Sequence, residues 1–209
     1  MDGYGLVLLS EMVEEIGEEK TREVLSNFSC PLNKDVEDFL KNKAIPMIPQ
    51  NKCPVHLVFS SYKKDPVLIG YYAVCVKTIE IPKGSVNRRF YERLAKFDER
   101  DALSKDKLVM SAPLIAQLGK NYYNGYNNLI RGDELLKLAC DDISMVLKNV
   151  GGKVVYLECE PKEKLKTFYI DNGFRIFNTR PMDKDEVDLT GGKFYLQMIK
   201  YMDIYSKKS

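Results

Sequence analysis

Histidine occurs once in this 209-residue chain, at position 56, and that scarcity rules out a cluster of histidine metal ligands. It also argues against Ser–His–Asp hydrolysis, since no G-x-S-x-G elbow is present either. His56 precedes Leu57-Val58-Phe59 and reads as a packed strand residue rather than a catalytic base. The five cysteines, Cys30, Cys53, Cys75, Cys140 and Cys159, contain no C-x-x-C pair. A disulfide framework would leave one over, and a zinc site would lack closely spaced ligands. No metal is expected. No apolar run approaches the roughly 18–20 residues of a membrane-spanning helix. The run Leu6-Val7-Leu8-Leu9 is too short for a signal core, and Asp2 is no basic lead-in. The expectation is a cytoplasmic protein without a membrane partner.

Excess charge is lacking too. A net charge of +2 gives no strong global attraction to nucleic acid. Arg88, Arg89, Arg93, Lys96 and Arg100 lie close together, but Glu92, Asp98, Glu99 and Asp101 are interleaved with them, which predicts a solvated mixed-charge face. There is no internal repeat and no low-complexity segment. With 44% hydrophobic and 30% charged residues, the chain falls among globular rather than disordered proteins. Its length suits one domain with a small appendage.

What is present is a mixed α/β pattern. The first 27 residues read as helical, with Val13, Ile16, Val24 and Leu25 as apolar anchors. Asn33 is a candidate N-cap for a helix over residues 34–43 that turns Val36, Phe39 and Leu40 to one face, and Pro46, Pro49 and Pro54 end that region. Strands are predicted over 55–60 and 67–78, split by a turn at Lys63-Lys64-Asp65-Pro66, with Gly70 marking a bulge. Residues 81–107 form a long connector of the kind that shapes a cleft. A strand over 108–118 leads into a loop rich in Asn, Tyr and Gly. The strongest helix follows from Gly132 to Val150, with Leu135, Leu136, Leu138, Ala139, Ile143, Val146, Leu147 and Val150 on one stripe. A strand at Val154–Cys159 comes next, then a short helix carrying Phe168-Tyr169, a polar turn over 180–193 and a final strand over 194–202.

The helix start at Gly132, preceded by a flexible loop, offers unpaired backbone N–H groups and a positive dipole end, which suits a diphosphate. Gly119, Gly125 and Gly132 allow close backbone approach, Asn127 and Asn128 supply amides, and Arg131 supplies positive charge. On spacing alone, a polar loop leading into a helix is the better fit. The loop is neither a Walker A loop nor the dinucleotide fingerprint, because the required G-K-[ST] and G-x-G-x-x-G are missing. Tyr169 by itself reads as a packed aromatic with its hydroxyl at the rim, or as a phenol placed to protonate a departing thiolate.

The segment from Leu114 to Phe174 resembles the GNAT superfamily of acetyl-CoA-dependent N-acetyltransferases. The F-Y-x-x-x-G-F signature of that superfamily stands here as Phe168-Tyr169-Ile170-Asp171-Asn172-Gly173-Phe174, after the strand end Leu157-Glu158-Cys159-Glu160. The segment from Phe28 to Phe39 resembles the opening of the subgroup that includes toxin acetyltransferases. In the Q/R-x-x-G-x-G/A loop, Asn127 falls on the first position, Ile130 on the first glycine and Gly132 on the last, so one of the three matches.

The resemblance implies a GNAT-type fold, a mixed and largely antiparallel central sheet with helices on both faces. The enzyme domain would span 28–209, after an N-terminal helical extension over 1–27. Acetyl-CoA would be the cosubstrate, lying between the 108–118 and Val154–Cys159 strands. Its pantetheine arm would run along Leu118, Gly119 and Lys120, and its diphosphate would sit at Asn127, Asn128, Ile130, Arg131, Gly132, Asp133 and Glu134. Tyr169 would be the general acid, with Glu158, or Glu160, as candidate base. Partners implied are an amine acceptor (a small molecule, a protein or aminoacyl-tRNA), an antitoxin and a second copy in a homodimer. Asn127 and Ile130 also fit a rival reading, a GNAT-like binding module that no longer holds CoA.

Overall fold

A computed structural model describes residues 3–99 and 106–204, so Arg100 and Asp101 of the expected charged face lie outside the described residues. Seven strands form a mostly antiparallel sheet in the order β1-β2-β3-β4-β5-β7-β6. The strands are β1 (Gly5–Leu8), β2 (Val55–Tyr62), β3 (Asp65–Pro82), β4 (Lys107–Lys120), β5 (Val154–Cys159), β6 (Arg175–Pro181) and β7 (Phe194–Tyr201). The helices are α1 (Leu9–Ile16), α2 (Glu18–Ser26), α3 (Lys34–Asp38), α4 (Ala44–Met47), α5 (Arg88–Leu94), α6 (Gly132–Val150), α7 (Glu163–Asp171) and α8 (Lys184–Thr190). By contact density the chain divides into two compact units, and β3, β4 and α6 each contribute to both.

The first unit comprises residues 3–75, Ile115–Ala139 and Asp188–Thr190. Its edge strand β1 pairs antiparallel with β2, Gly5 opposite Phe59 and Leu8 opposite His56. Residues 5–8 are therefore strand, a correction to the all-helical expectation for the first 27 residues. A four-residue apolar run can form either element, and here the neighbouring β2 edge decides. Asn33 caps α3 as expected, its Oδ1 accepting from Asp35 N at 3.0 Å and Val36 N at 3.4 Å. The helix then passes through a π turn, Phe39–Lys43, into α4 and a 3₁₀ turn, Ile48–Gln50, so Pro46 and Pro49 lie inside helical turns rather than ending the region.

Val36, Phe39 and Leu40 reach the core with Leu9, Leu25, Phe28, Leu57 and Tyr71. Tyr71 is central: Phe28 meets its ring edge-on at 5.2 Å, Phe39 stacks at 6.3 Å, and its hydroxyl donates to Val36 O at 2.6 Å. Ring burial with the phenol satisfied is the low-cost way to use tyrosine inside. The β2–β3 register slips between Val58 and Phe59, leaving Ile69 as the extra residue beside Gly70. A Cβ at Gly70 would stand 2.9 Å from Gly119 O, and one at Gly119 would collide with Val36 Cγ1. Both glycines are required by close approach rather than by turn geometry.

The second unit comprises residues 76–99, 106–114, Cys140–Val187 and 191–204. Antiparallel β5 and β7 run from Val154 opposite Tyr201 to Cys159 opposite Leu196, and β7 also pairs with β6. Val154, Val155, Tyr156 and Leu157 are buried in succession, as a strand covered on both faces requires. Residues 180–193 are not the expected polar turn. Asp183 and Glu186 form a capping box that starts α8. In α6 the expected stripe is buried at Leu135, Leu136, Leu138, Ala139, Ile143 and Leu147. Val146 and Val150 are 51% and 75% exposed, because one lies at the stripe's margin and the other in the last turn.

The mixed-charge face is realised within this unit. Arg88 pairs with Glu92 at 2.8 Å, and Arg93 lies 3.8 Å over the Tyr201 ring. The Asp98 and Glu99 carboxylates accept from the backbone N–H groups of Val109 and Ser111. Arg89 and Lys96 have no ion-pair partner among the described residues, and both are exposed.

Candidate functional site

The residues expected at the diphosphate belong to the first unit. Strand β4 ends at Lys120, and Asn121 behind it is 1% exposed. Its Oδ1 accepts from Ser29 N and Tyr123 N, both at 3.0 Å, while its Nδ2 donates to Leu68 O at 2.8 Å. One side chain thereby ties β3, the Phe28–Ser29 segment and the next turn together. That turn is a 3₁₀ segment, Tyr123–Leu129, kinked where Asn124 and Gly125 take left-handed conformations (φ 48° and 74°). The Lys120 ammonium donates to Asn127 O at 2.9 Å and Ile130 O at 3.1 Å, which closes the loop on itself. Asn127 Nδ2 donates to Asn128 Oδ1 at 3.3 Å.

Ile130 stands where the superfamily has glycine, yet its backbone is extended (φ −145°) and its side chain is 2% exposed. An L-residue meets no strain in that conformation. The α6 N-terminus is covered by its own acids. Glu134 Oε2 accepts from Arg131 N at 2.7 Å and from the Tyr4 hydroxyl at 3.4 Å. Asp133 pairs with the Arg131 guanidinium, whose hydrogen bond holds the Asp133 carboxyl below the usual range, and it also accepts from the N–H groups of Asp133 and Glu134. Burial and the Glu134 charge push the Tyr4 phenol up. Leu118, Gly119, Lys120, Asn127, Asn128, Ile130, Arg131, Gly132, Asp133 and Glu134 are thus gathered at one strand end and one helix start. Carboxylates occupy the position an anion would take.

The remaining predicted residues lie in the second unit. Tyr169 sits on α7, whose end closes as a Schellman motif: Gly173 at φ 86° donates to Ile170 O, and Phe174 N donates to Tyr169 O. Phe168 and Phe174 meet the Tyr169 ring edge-on at 5.0 and 5.9 Å. Its hydroxyl has no hydrogen-bond partner among the described residues. Burial, reinforced by the nearby Cys159 thiol, raises the phenol well above its ordinary value, so it stays protonated. The Cys159 thiol is itself pushed up to about 11, first by burial and then by Glu160, which leaves no thiolate nucleophile at neutral pH.

Glu158 is committed elsewhere. Its Oε2 accepts from Arg180 Nε and its Oε1 from Gln197 Nε2, both at 2.8 Å. Arg180 also bridges to Glu186, whose carboxyl falls below its usual range although burial alone would raise it. A carboxylate with both oxygens held this way ties β5, β6 and β7 together. Glu160 is 8% exposed and paired with Lys162 at 2.9 Å. Sequence reading missed Asn121 and Arg180. The D-x-x-E box at Asp183–Glu186 could have signalled the helix beside Arg180, but nothing local marks its partner Glu158.

This strand order, with a long strand ending at a loop that leads into a helix, and an F-Y-x-x-x-G-F helix after the next strand, is that of a GNAT-type fold. No family model matches the chain, and no curated protein matches it by sequence. Solved structures do. A tyrosine-to-phenylalanine mutant of KacT has a TM-score of 0.59 and 14% identity, over 93% of this chain and 94% of that one. AtaT complexed with acetyl-methionyl-tRNA has a TM-score of 0.58 and 12% identity, over 92% and 93%. A mutant AtaT toxin bound to acetyl-CoA and to the C-terminus of the antitoxin AtaR has a TM-score of 0.53 and 14% identity, over 94% and 92%.

Proposed function

We propose that this protein is an acetyl-CoA-dependent N-acetyltransferase, and that its acceptor is the α-amine of an aminoacyl-tRNA. The observation that carries the reading is Tyr169. A phenol held protonated, with no hydrogen-bond partner among the described residues, stands in the F-Y-x-x-x-G-F signature of a GNAT-type fold. Support comes from the solved neighbours, which include an acetyl-CoA complex and an acetyl-methionyl-tRNA complex. The amine attacks the thioester directly, and Tyr169 protonates the leaving thiolate. A thiolate formed in apolar surroundings is more basic than in water, which brings it toward the raised phenol. An α-amine with a pKa of about 8 is partly neutral at physiological pH, so attack needs no strong base, and Glu158 is left to its structural network. Arg89 and Lys96, exposed in the second unit, supply phosphate contacts for the acceptor. A cytoplasmic location and neutralisation by an antitoxin complete the proposal.

The test is transfer of labelled acetyl from acetyl-CoA to aminoacyl-tRNA across a salt series. Phosphate contacts release counterions, so the rate at low acceptor concentration should fall steeply as salt rises. A flat salt response would point to a small amine or a protein N-terminus.

A second reading, a binding module without acetyl-CoA, is favoured by one feature: the Arg131 N–H and the Arg131 guanidinium already hold Glu134 and Asp133. The two readings differ in the effect of Glu134→Ala. In an enzyme the change uncovers an amide and removes a repelling charge, and acetyl-CoA should bind roughly fivefold more tightly by calorimetry. No heat from millimolar acetyl-CoA in either form would establish the module.

A further inference from the structure

The loop that leads to the seat carries aromatic surface that the transfer chemistry leaves unused. Tyr126 lies between two other tyrosines, its ring 5.5 Å from Tyr62 and 6.0 Å from Tyr123, both in edge contact. Tyr62 is 37% exposed and Tyr123 41% exposed. Each edge-to-face contact covers one face of one ring in the pair, and the exposure of Tyr62 and Tyr123 leaves aromatic surface open. Tyr62 ends β2, and the next two residues, Lys63 and Lys64, form the two-residue turn to Asp65. Both lysines are left-handed, at φ 52° and 78°. A type I′ turn of this kind favours Asn-Gly, and a long side chain there costs on the order of 1 kcal/mol per residue. Two adjacent ammonium groups in that turn carry both strain and mutual repulsion, partly offset by exposed Asp65. Lys63 Nζ lies 5.3 Å from the Tyr62 ring centroid, so one cation already faces the aromatic cluster.

Simple packing of the hairpin on the 3₁₀ turn explains the ring contacts but not the lysines. An occupant with a flat base and an attached phosphate explains both. Tyr126 precedes Arg131 by five residues, 3₁₀ as far as Leu129 and extended at Ile130, so the cluster is within about 13 Å of chain from the α6 start. A ribose and its 5′-phosphate can bridge such a span.

We propose that Tyr62, Tyr123 and Tyr126 form the stacking surface for the adenine of CoA, and that Lys63 and Lys64 take its 3′-phosphate. This rests on the acetyl-CoA reading above. It concerns the nucleotide end of the molecule, whereas Tyr169 concerns the thiol end. All five residues belong to the first unit together with the diphosphate seat. Three rings and two lysines match one nucleotide, whereas a strand of RNA would need a longer basic track.

Calorimetry with CoA and 3′-dephospho-CoA tests the assignment. Wild type should bind CoA about tenfold more tightly than the dephospho form, as expected for charge-assisted contacts. The double variant Lys63→Asn, Lys64→Gly installs the low-strain turn, so it should melt no lower than wild type while binding the two ligands equally. Tyr126→Ala should weaken both ligands about tenfold, and Tyr126→Phe should leave both unchanged because the stacking face remains. Wild type binding both ligands equally, with the variants unchanged, would overturn the nucleotide platform and leave the acetyl-CoA reading standing. Absence of CoA binding by wild type would remove that reading and this one together. Equal losses in Tyr126→Ala and Tyr126→Phe would overturn stacking as the mechanism.

Discussion

Tyr169→Phe should lower acetyl-transfer turnover by about 10²-fold while leaving the dissociation constant for acetyl-CoA unchanged. The variant removes one oxygen from a ring held by Phe168, Phe174 and the Schellman end of α7, so packing is retained and only the proton donor is lost. Paired measurements of kcat and of binding by calorimetry check both halves. Unchanged turnover would remove the phenol from the mechanism. The pH profile gives an independent check. Burial raises the phenol above its ordinary value of about 10, so the acid form persists through neutral pH and an alkaline limb due to its ionisation lies above pH 10. A limb centred near pH 8 that vanished in the variant would contradict that assignment.

Asn121→Ala should produce the largest loss of stability and take cofactor affinity with it. The substitution leaves the buried carbonyl of Leu68 and the part-buried N–H groups of Ser29 and Tyr123 without their partner. An unsatisfied buried group costs about 1–3 kcal/mol and a part-buried one less, so a total of roughly 2–4 kcal/mol is expected from urea unfolding. Asn121 also sets the first turn of the segment that reaches Ile130, so acetyl-CoA binding should weaken well below the denaturation midpoint. Asn121→Asp retains the acceptor oxygen but loses the donor, and it should fall between wild type and alanine. Equal stability of the alanine variant would show that the loop is held by Lys120 and the tyrosines alone.

Local pattern was enough for the elements that carry their own signal. α6 runs from Gly132 to Val150 and β5 from Val154 to Cys159, as the apolar stripe and the apolar run after Gly151-Gly152 indicate. Asn33 caps α3 because its side chain acts within three residues. β6 escaped notice because its residues alternate between half-buried and exposed, with Phe177 alone buried among them, and its pairing partner β7 comes later in the chain. Asn121 looked like one more polar residue of a loop, because its partners Ser29 and Leu68 are 92 and 53 residues away. Glu158 looked like a base at a strand end until Arg180 and Gln197, 22 and 39 residues distant, filled both its oxygens. Its partners are groups that no local window contains.

The two compact units are interleaved along the polypeptide, since the first needs residues through Cys75 and again Ile115–Ala139. During synthesis the strand end and helix start assigned to the nucleotide cannot assemble until Ala139 has left the ribosome. The phenol of Tyr169 emerges later still. A nascent chain halted midway, or a product of premature termination, holds no contiguous segment that corresponds to either unit. A chain cut anywhere before Ala139 therefore holds neither unit entire.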